Sequence, residues 1–90
     1  MRRIRFANKC KKELRLAQKR GRDLDKFHEV MDLLVREVEL PTKYKDHKLQ
    51  GSFEGCRDCH LEPDWILIYR ILKGEVVFER TGTHSDLFKK

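Results

Sequence analysis

Nowhere in this sequence do apolar residues run for the roughly 20 positions that a bilayer-spanning helix needs. The longest stretch, Trp65–Leu72, is eight residues and is interrupted by Arg70. Cysteines number three, an odd count, and the basic start Met1–Phe6 leads into the charged segment Asn8–Arg22. That start does not read as a signal peptide, so a disulfide-stapled secreted scaffold is excluded and a cytoplasmic location is expected. Methionine is scarce, with Met1 and Met31 alone, and Met31 belongs to a helical stripe. Two prolines, five glycines and no repeat or low-complexity tract leave no linker, so residues 1–90 are expected to form a single domain.

Acidic residues are nearly missing from the first quarter of the chain. Met1–Arg22 carries ten Lys/Arg against one acid, Glu13, whereas Asp23–Glu39 carries two basic residues against six acids. Leu40–Lys90 is close to balance, and the whole chain has a net charge of +6. A basic surface of this kind faces a polyanion, or an acidic protein that masks it. With 39% apolar and 40% charged residues the chain still has a periodic apolar pattern, which disordered segments lack.

That pattern predicts the elements. Arg3–Phe6 alternates basic and apolar residues, as a short first strand does, with one buried face. A helix is predicted from about Asn8, with Cys10, Leu14 and Ala17 on one face, stopping near Gly21. Asp23 can cap a second helix to about Glu39, with Leu24, Phe27, Met31, Leu34 and Val38 in a continuous stripe before Pro41. Strands then follow: Lys48–Gln50 and Cys56–Leu61 around the turn at Gly51–Gly55, Trp65–Leu72 after Glu62-Pro63-Asp64, and Glu75–Thr81 after Lys73-Gly74. The order β-α-α-β-β-β predicts an α+β domain, a small antiparallel sheet with two N-terminal helices on one face. The opposite face is expected to be open to a ligand.

Cys56-Arg57-Asp58-Cys59-His60 has the C-x-x-C-H spacing of covalent haem attachment. On a strand, however, Cys56 and Cys59 point to opposite faces and chelate neither haem nor zinc together. No haem, metal or other cofactor is therefore expected. The same alternation predicts Cys59 in the core beside Leu61, with Asp58, His60 and Glu62 outward.

The histidines carry the sharper signal. His28 lies on a charged helix surface, but His47, His60 and His84 fall in the strand-rich half, near Asp46, Asp58, Asp64 and Arg80. An imidazole titrates near neutrality, so it can take a proton when neutral and give one when charged. Cleaving RNA without a metal needs a base for the 2′-hydroxyl, an acid for the leaving 5′-oxygen and a cation for the phosphate. Arg80 suits the last task because a guanidinium binds phosphate oxygens bidentately. Trp65 and Phe88 are the aromatic residues available to stack on unpaired bases, but Trp65 opens an apolar strand and is the stronger candidate for the core.

Three ordered segments, Tyr44–Gly51 (YKDHKLQG), Arg57–Tyr69 (RDCHLEPDWILIY) and Phe78–Phe88 (FERTGTHSDLF), resemble the YafQ branch of the RelE/ParE toxin superfamily. Leu16–Arg20 is similar too, so the resemblance spans essentially the whole chain. One departure is Cys56, where an aromatic residue is common. The resemblance implies the toxin of a type II toxin–antitoxin pair, an endoribonuclease that cuts mRNA on translating ribosomes and is silenced by a cognate antitoxin. It puts His47, His60, Asp64, Arg80, His84 and Phe88 on catalytic positions and Trp65 on a substrate-binding position. The expected reaction is attack of the 2′-hydroxyl on the adjacent phosphate, with His84 as acid and His60 or His47 as base. Asp64 would orient a histidine, and Arg80 would offset charge on the phosphate. Two rivals are a non-catalytic, gyrase-poisoning toxin of the ParE kind, which would lack the histidine–arginine set, and an RNA-binding module without chemistry.

Overall fold

The computed structural model describes residues 1–88. Its elements are β1 (Arg3–Phe6), α1 (Asn8–Lys19), α2 (Leu24–Val35), a 3-10 turn (Thr42–Tyr44), β2 (His47–Lys48), a second 3-10 turn (Gly51–Phe53), β3 (Arg57–Glu62), β4 (Trp65–Leu72), β5 (Glu75–Gly82) and α3 (His84–Leu87). The α+β class and the two helices ahead of the main strands are as the periodicity predicts. The strand order is β1-β5-β4-β3-β2. Strands β2 to β5 pair antiparallel, while β1 lies parallel to β5 with Phe6 beside Phe78, which makes the sheet mixed. Only a long connection can bring a strand back parallel to an earlier one, and here everything from α1 to β4 intervenes.

Both long helices stop by the same device. At the end of α1, Gly21 takes φ +82°, the Gly21 N–H donates to the Gln18 carbonyl and the Arg22 N–H to the Ala17 carbonyl. These are the paired bonds of a Schellman motif. At the end of α2 the left-handed residue is Glu37, φ +62°, with Glu37 N–H on the Leu34 carbonyl and Val38 N–H on the Leu33 carbonyl. The second helix therefore ends at Val35 and not near Glu39, and Val38 leaves the stripe to lie 44% exposed. Its start agrees with the sequence: the Asp23 side chain accepts from the Asp25 N–H.

Phe27, Val30 and Leu34 of α2 and Cys10 and Ala17 of α1 pack on Cys59, Leu61, Trp65, Leu67, Tyr69, Val76 and Phe78 of the sheet. β1 contributes Phe6 to this core, but Ile4 remains 45% exposed. The opposite sheet face is not bare. Ile66 and Ile68, both fully buried, gather Cys56 and Leu87, with Leu49, Phe53 and Phe88 packed around them. An apolar run that alternates between faces buries both. The expectation of an uncovered second face is thus corrected: the segment Leu49–Cys56 and the C-terminal turn cover part of it. Among the described residues no helix is long and apolar enough to cross a membrane.

Candidate active site

Strand register builds the site. His47 on β2 is paired with Asp58 on β3, Asp58 with Ile68 on β4, and Ile68 with Arg80 on β5. Residues opposite one another share a face, so these four form one row across the sheet, about 14 Å from end to end at 4.7–4.9 Å per strand. His60, two residues beyond Asp58, falls on the same face in the next row. His84 and Phe88 reach that face from α3, just after β5.

Three imidazoles and two phenyl rings then follow one another in an arc. Ring centroids are 6.4 Å apart for His47–His60, 5.5 Å for His60–His84, 6.4 Å for His84–Phe88 and 5.8 Å for Phe88–Phe53. His47 and His84 are exposed, His60 half-buried. Burial pushes the His60 imidazole below its ordinary value; the Asp58 carboxylate opposes this, and His84, Lys45 and His47 add to it.

Local contacts fix two of the rings. His84 opens α3 behind a capping box in which the Thr83 side chain accepts from the Asp86 N–H and the Asp86 carboxylate from the Thr83 N–H. Asp64 Oδ1 accepts from the His84 backbone N–H at 3.0 Å and lies 2.7 Å from its Nδ1. The same two contacts, backbone first, hold the Asp64 carboxyl below the usual carboxylate range. The turn bearing Asp64 is itself pinned: Arg22 donates to Glu62 at 2.8 Å and to the Asp64 carbonyl at 3.3 Å, and Lys26 pairs with Glu62 at 3.2 Å. His47 Nδ1 faces two acceptors, the Lys45 carbonyl at 2.8 Å and Asp58 Oδ1 at 3.0 Å. In both rings Nδ1 must then carry the proton, which leaves Nε2 as the nitrogen free for chemistry. Lys45 itself is held in the left-handed region, φ +51°, and the Asp46 carboxylate accepts from Tyr69 Oη and from Arg57, locking the entry to β2.

Two calls need correction. Trp65 is 1% exposed and sits in the helix-side core, with the Arg22 guanidinium 5.8 Å from its ring centroid. A residue at an odd position of β4 faces the helices, so Trp65 offers no ring for a base to stack on. Asp58, expected outward, is 3% exposed, because the imidazoles and the roof close over it. The remaining residues meet differently. His47, His60, His84, Asp64 and Phe88 converge. Arg80 shares their face, but its guanidinium forms a two-pronged pair with Glu13 of α1, Nε at 3.0 Å from both oxygens and Nη2 at 2.8 Å from one. Nη1 takes no part in that pair. Phe53 and Asp58 are the site residues that the motifs did not single out. Alternation within Asp58-Cys59-His60 was the available signal for Asp58, since i and i+2 share a face.

Grooves flank the arc on both sides. One of about 440 Å³ runs from His60 over Leu61 and Pro63 to Lys26, Lys43 and Lys45. The other, about 350 Å³, lies past Phe53 and is lined by Lys9, Arg70 and Arg80. Of the thiols, Cys56 joins the roofed cluster and Cys59 the helix-side core, on opposite faces of the sheet. Burial pushes both thiols up, and that of Cys10 to about 12.

Comparison with known proteins places this arrangement. Residues 2–89 match the family described as bacterial toxin of type II toxin-antitoxin system, YafQ. The chain is 50% identical over 86 residues to the mRNA interferase toxin YafQ of Escherichia coli K12, covering 94% of each. It superposes on YafQ in the crystal structure of the E. coli DinJ-YafQ complex with a TM-score of 0.91 and 48% identity, covering 98% of this chain and 99% of that one. A metal-bound toxin from Helicobacter pylori gives 0.92 and 40%, covering 98% and 100%. This chain belongs to the YafQ family of type II toxin–antitoxin toxins.

Proposed function

We propose that this toxin is an mRNA interferase, a cytoplasmic endoribonuclease that cleaves messages on the translating ribosome and so stops translation. The observation that carries the reading is the arc of imidazoles on one sheet face, two of them with Nδ1 bound to acceptors and Nε2 free. His60, half-buried and with its imidazole pushed down, is neutral near pH 7 and serves as the base for the 2′-hydroxyl. His84, anchored to the Asp64 carboxylate, donates the proton to the leaving 5′-oxygen. With ring centroids 5.5 Å apart, the two can address the attacking and leaving oxygens of a single phosphodiester. His47 stands next in the arc as a second base. The 2′-oxygen bonds to phosphorus as the P–O5′ bond breaks, which gives a 2′,3′-cyclic phosphate and a 5′-hydroxyl. Arg80, held by Glu13 with Nη1 to spare, supplies positive charge from its end of the row. Phe88 packs against His84 and positions a base or ribose there. No step uses a metal or cofactor.

The relative in complex with DinJ supports a cognate antitoxin as the partner that silences this chain. The test is cleavage mapping with and without translating ribosomes, on wild type and His84→Ala. Wild type is expected to leave discrete 5′-hydroxyl ends and 2′,3′-cyclic phosphates. The variant is expected to fold, bind its antitoxin and cleave about 10²–10⁴ times more slowly. Ends bearing 5′-phosphate, or undiminished cleavage by the variant, would overturn the reading.

A further inference from the structure

The proposed reaction uses His47, His60 and His84 but leaves the carboxyl group between them without a task. Asp58 lies on β3, 3% exposed, with apolar Ile68 as its β4 neighbour. Oδ1 is 3.0 Å from His47 Nδ1, yet among the described residues it has no partner in good hydrogen-bond geometry. The contact is therefore mainly one of charge. Burial pushes its carboxyl above the usual carboxylate range; His47 from β2, His60 from its own strand and His84 from α3 oppose this, and Asp46 from the segment before β2 adds to it. A carboxyl taken out of water resists ionisation unless positive charge is close by. Here the available positive charge is that of the imidazoles themselves.

We propose that Asp58 is the shared counter-ion of the three imidazoles, a positioning residue that stores a positive charge within the cluster. This rests on the cleavage reading above and deepens it. A site that needs one neutral and one charged imidazole side by side has to overcome their mutual repulsion, since each charged ring discourages protonation of the next. One buried negative charge at the centre offsets that repulsion. It favours a charged imidazole beside the desolvated His60. Asp64 does not replace it: that carboxylate is exposed and addresses His84 alone.

The test is imidazole titration by NMR in the antitoxin-free toxin, comparing wild type with Asp58→Asn and Asp58→Glu, alongside the pH profile of mRNA cleavage. In Asp58→Asn all three imidazoles should titrate at lower pH, His47 most, with shifts of about one unit. Both limbs of the cleavage profile should move acidward by a similar amount. Cleavage then falls about tenfold on the alkaline side and is retained on the acid side. Asp58→Glu, which keeps the charge, should restore the wild-type profile. A merely structural role predicts a uniform loss at every pH with unchanged imidazole titration, and that result would overturn the proposal. If Asp58→Asn does not fold, the carboxyl carbon shift of Asp58 in wild type decides. An ionised carboxylate throughout the imidazole titration supports the counter-ion, and a carboxyl still protonated above pH 7 sinks it. The titration needs no RNA, so a wild-type chain that leaves mRNA intact would refute the cleavage reading while these shifts still uphold the pairing.

Discussion

A single carboxylate, Asp64, holds the proposed general acid twice, through the backbone N–H that starts α3 and through the ring Nδ1. The two contacts separate by substitution. Asp64→Asn keeps an oxygen for the backbone N–H but removes the charge that favours the imidazolium. Its expected signature is a loss of about 10²-fold in cleavage with thermal stability unchanged. Asp64→Ala should lose stability as well, because the start of α3 comes loose. Cleavage rates and thermal unfolding of each variant check both. How well such roles can be read from sequence depends on what encodes them. His47, His60, His84, Asp64 and Phe88 lie within ordered motifs, and their convergence follows from strand register. Trp65 was pulled two ways, to the core by the apolar strand it opens and to the site by the motif, and the strand was the truer guide. Asp58 was misplaced because an aspartate in an alternating strand carries no mark of what will pack over it.

Element boundaries were legible wherever a residue type enforces them. Gly21 takes the left-handed position after α1 at no steric cost, and the end of α1 is where the sequence puts it. After α2 the same position is filled by Glu37, a residue that gives no stop signal, so the periodic stripe seemed to continue to Val38. The mismatch makes a prediction at this scale. A non-glycine residue in the left-handed region costs about 1–2 kcal/mol, partly regained here by the pair between the N-terminal ammonium and Glu37 at 3.4 Å. Both members of that pair are more than half exposed, so it contributes little. Glu37→Gly should therefore stabilise the toxin by about 0.5–1 kcal/mol and raise Tm by about 2–6 °C, with cleavage unchanged. Thermal unfolding followed by circular dichroism is sufficient to check it. The second-face roof was lost for a related reason. The run from Trp65 to Leu72 declares that both faces are buried, but the cover comes from a 3-10 turn and four residues of α3, too short for any periodicity to announce.

At the scale of the whole molecule, two properties of charge follow from the fold. The first is loss of stability in alkali. Cys10 and Tyr44 are pushed up to about 12 by burial, and Cys56 and Cys59 shift in the same direction. A group whose pKa is higher when folded contributes stability that is whole below its unfolded value and is lost as pH rises through the folded one. The denaturant midpoint should thus hold to about pH 9 and fall progressively towards pH 12, and the native thiols should resist alkylation at pH 8 until the chain unfolds.

The second property concerns how so small a toxin would reach the ribosome-bound message proposed as its substrate. Part of the positive charge of Met1–Arg22 is committed to ion pairs, Arg5 with Glu75, Arg20 with Asp86 and Arg22 with Glu62, but Lys12, Arg15 and Lys19 of α1 are all exposed and, spaced by three and four, lie along one stripe. The acids of the same quarter number one, and Glu13 is committed to Arg80. A stripe with no local counter-charge attracts phosphates, and each phosphate it neutralises releases bound counterions. Cleavage of ribosome-bound mRNA at subsaturating substrate should therefore fall steeply with salt. Replacing Lys12, Arg15 and Lys19 together by glutamine should flatten the log–log salt dependence by about two to three. The imidazole titrations, which report the site on the other side of the sheet, should not move. An unchanged slope in the triple variant would relocate RNA docking to the two grooves beside the imidazoles, where Lys43, Lys45, Arg70 and Lys9 would then have to carry it.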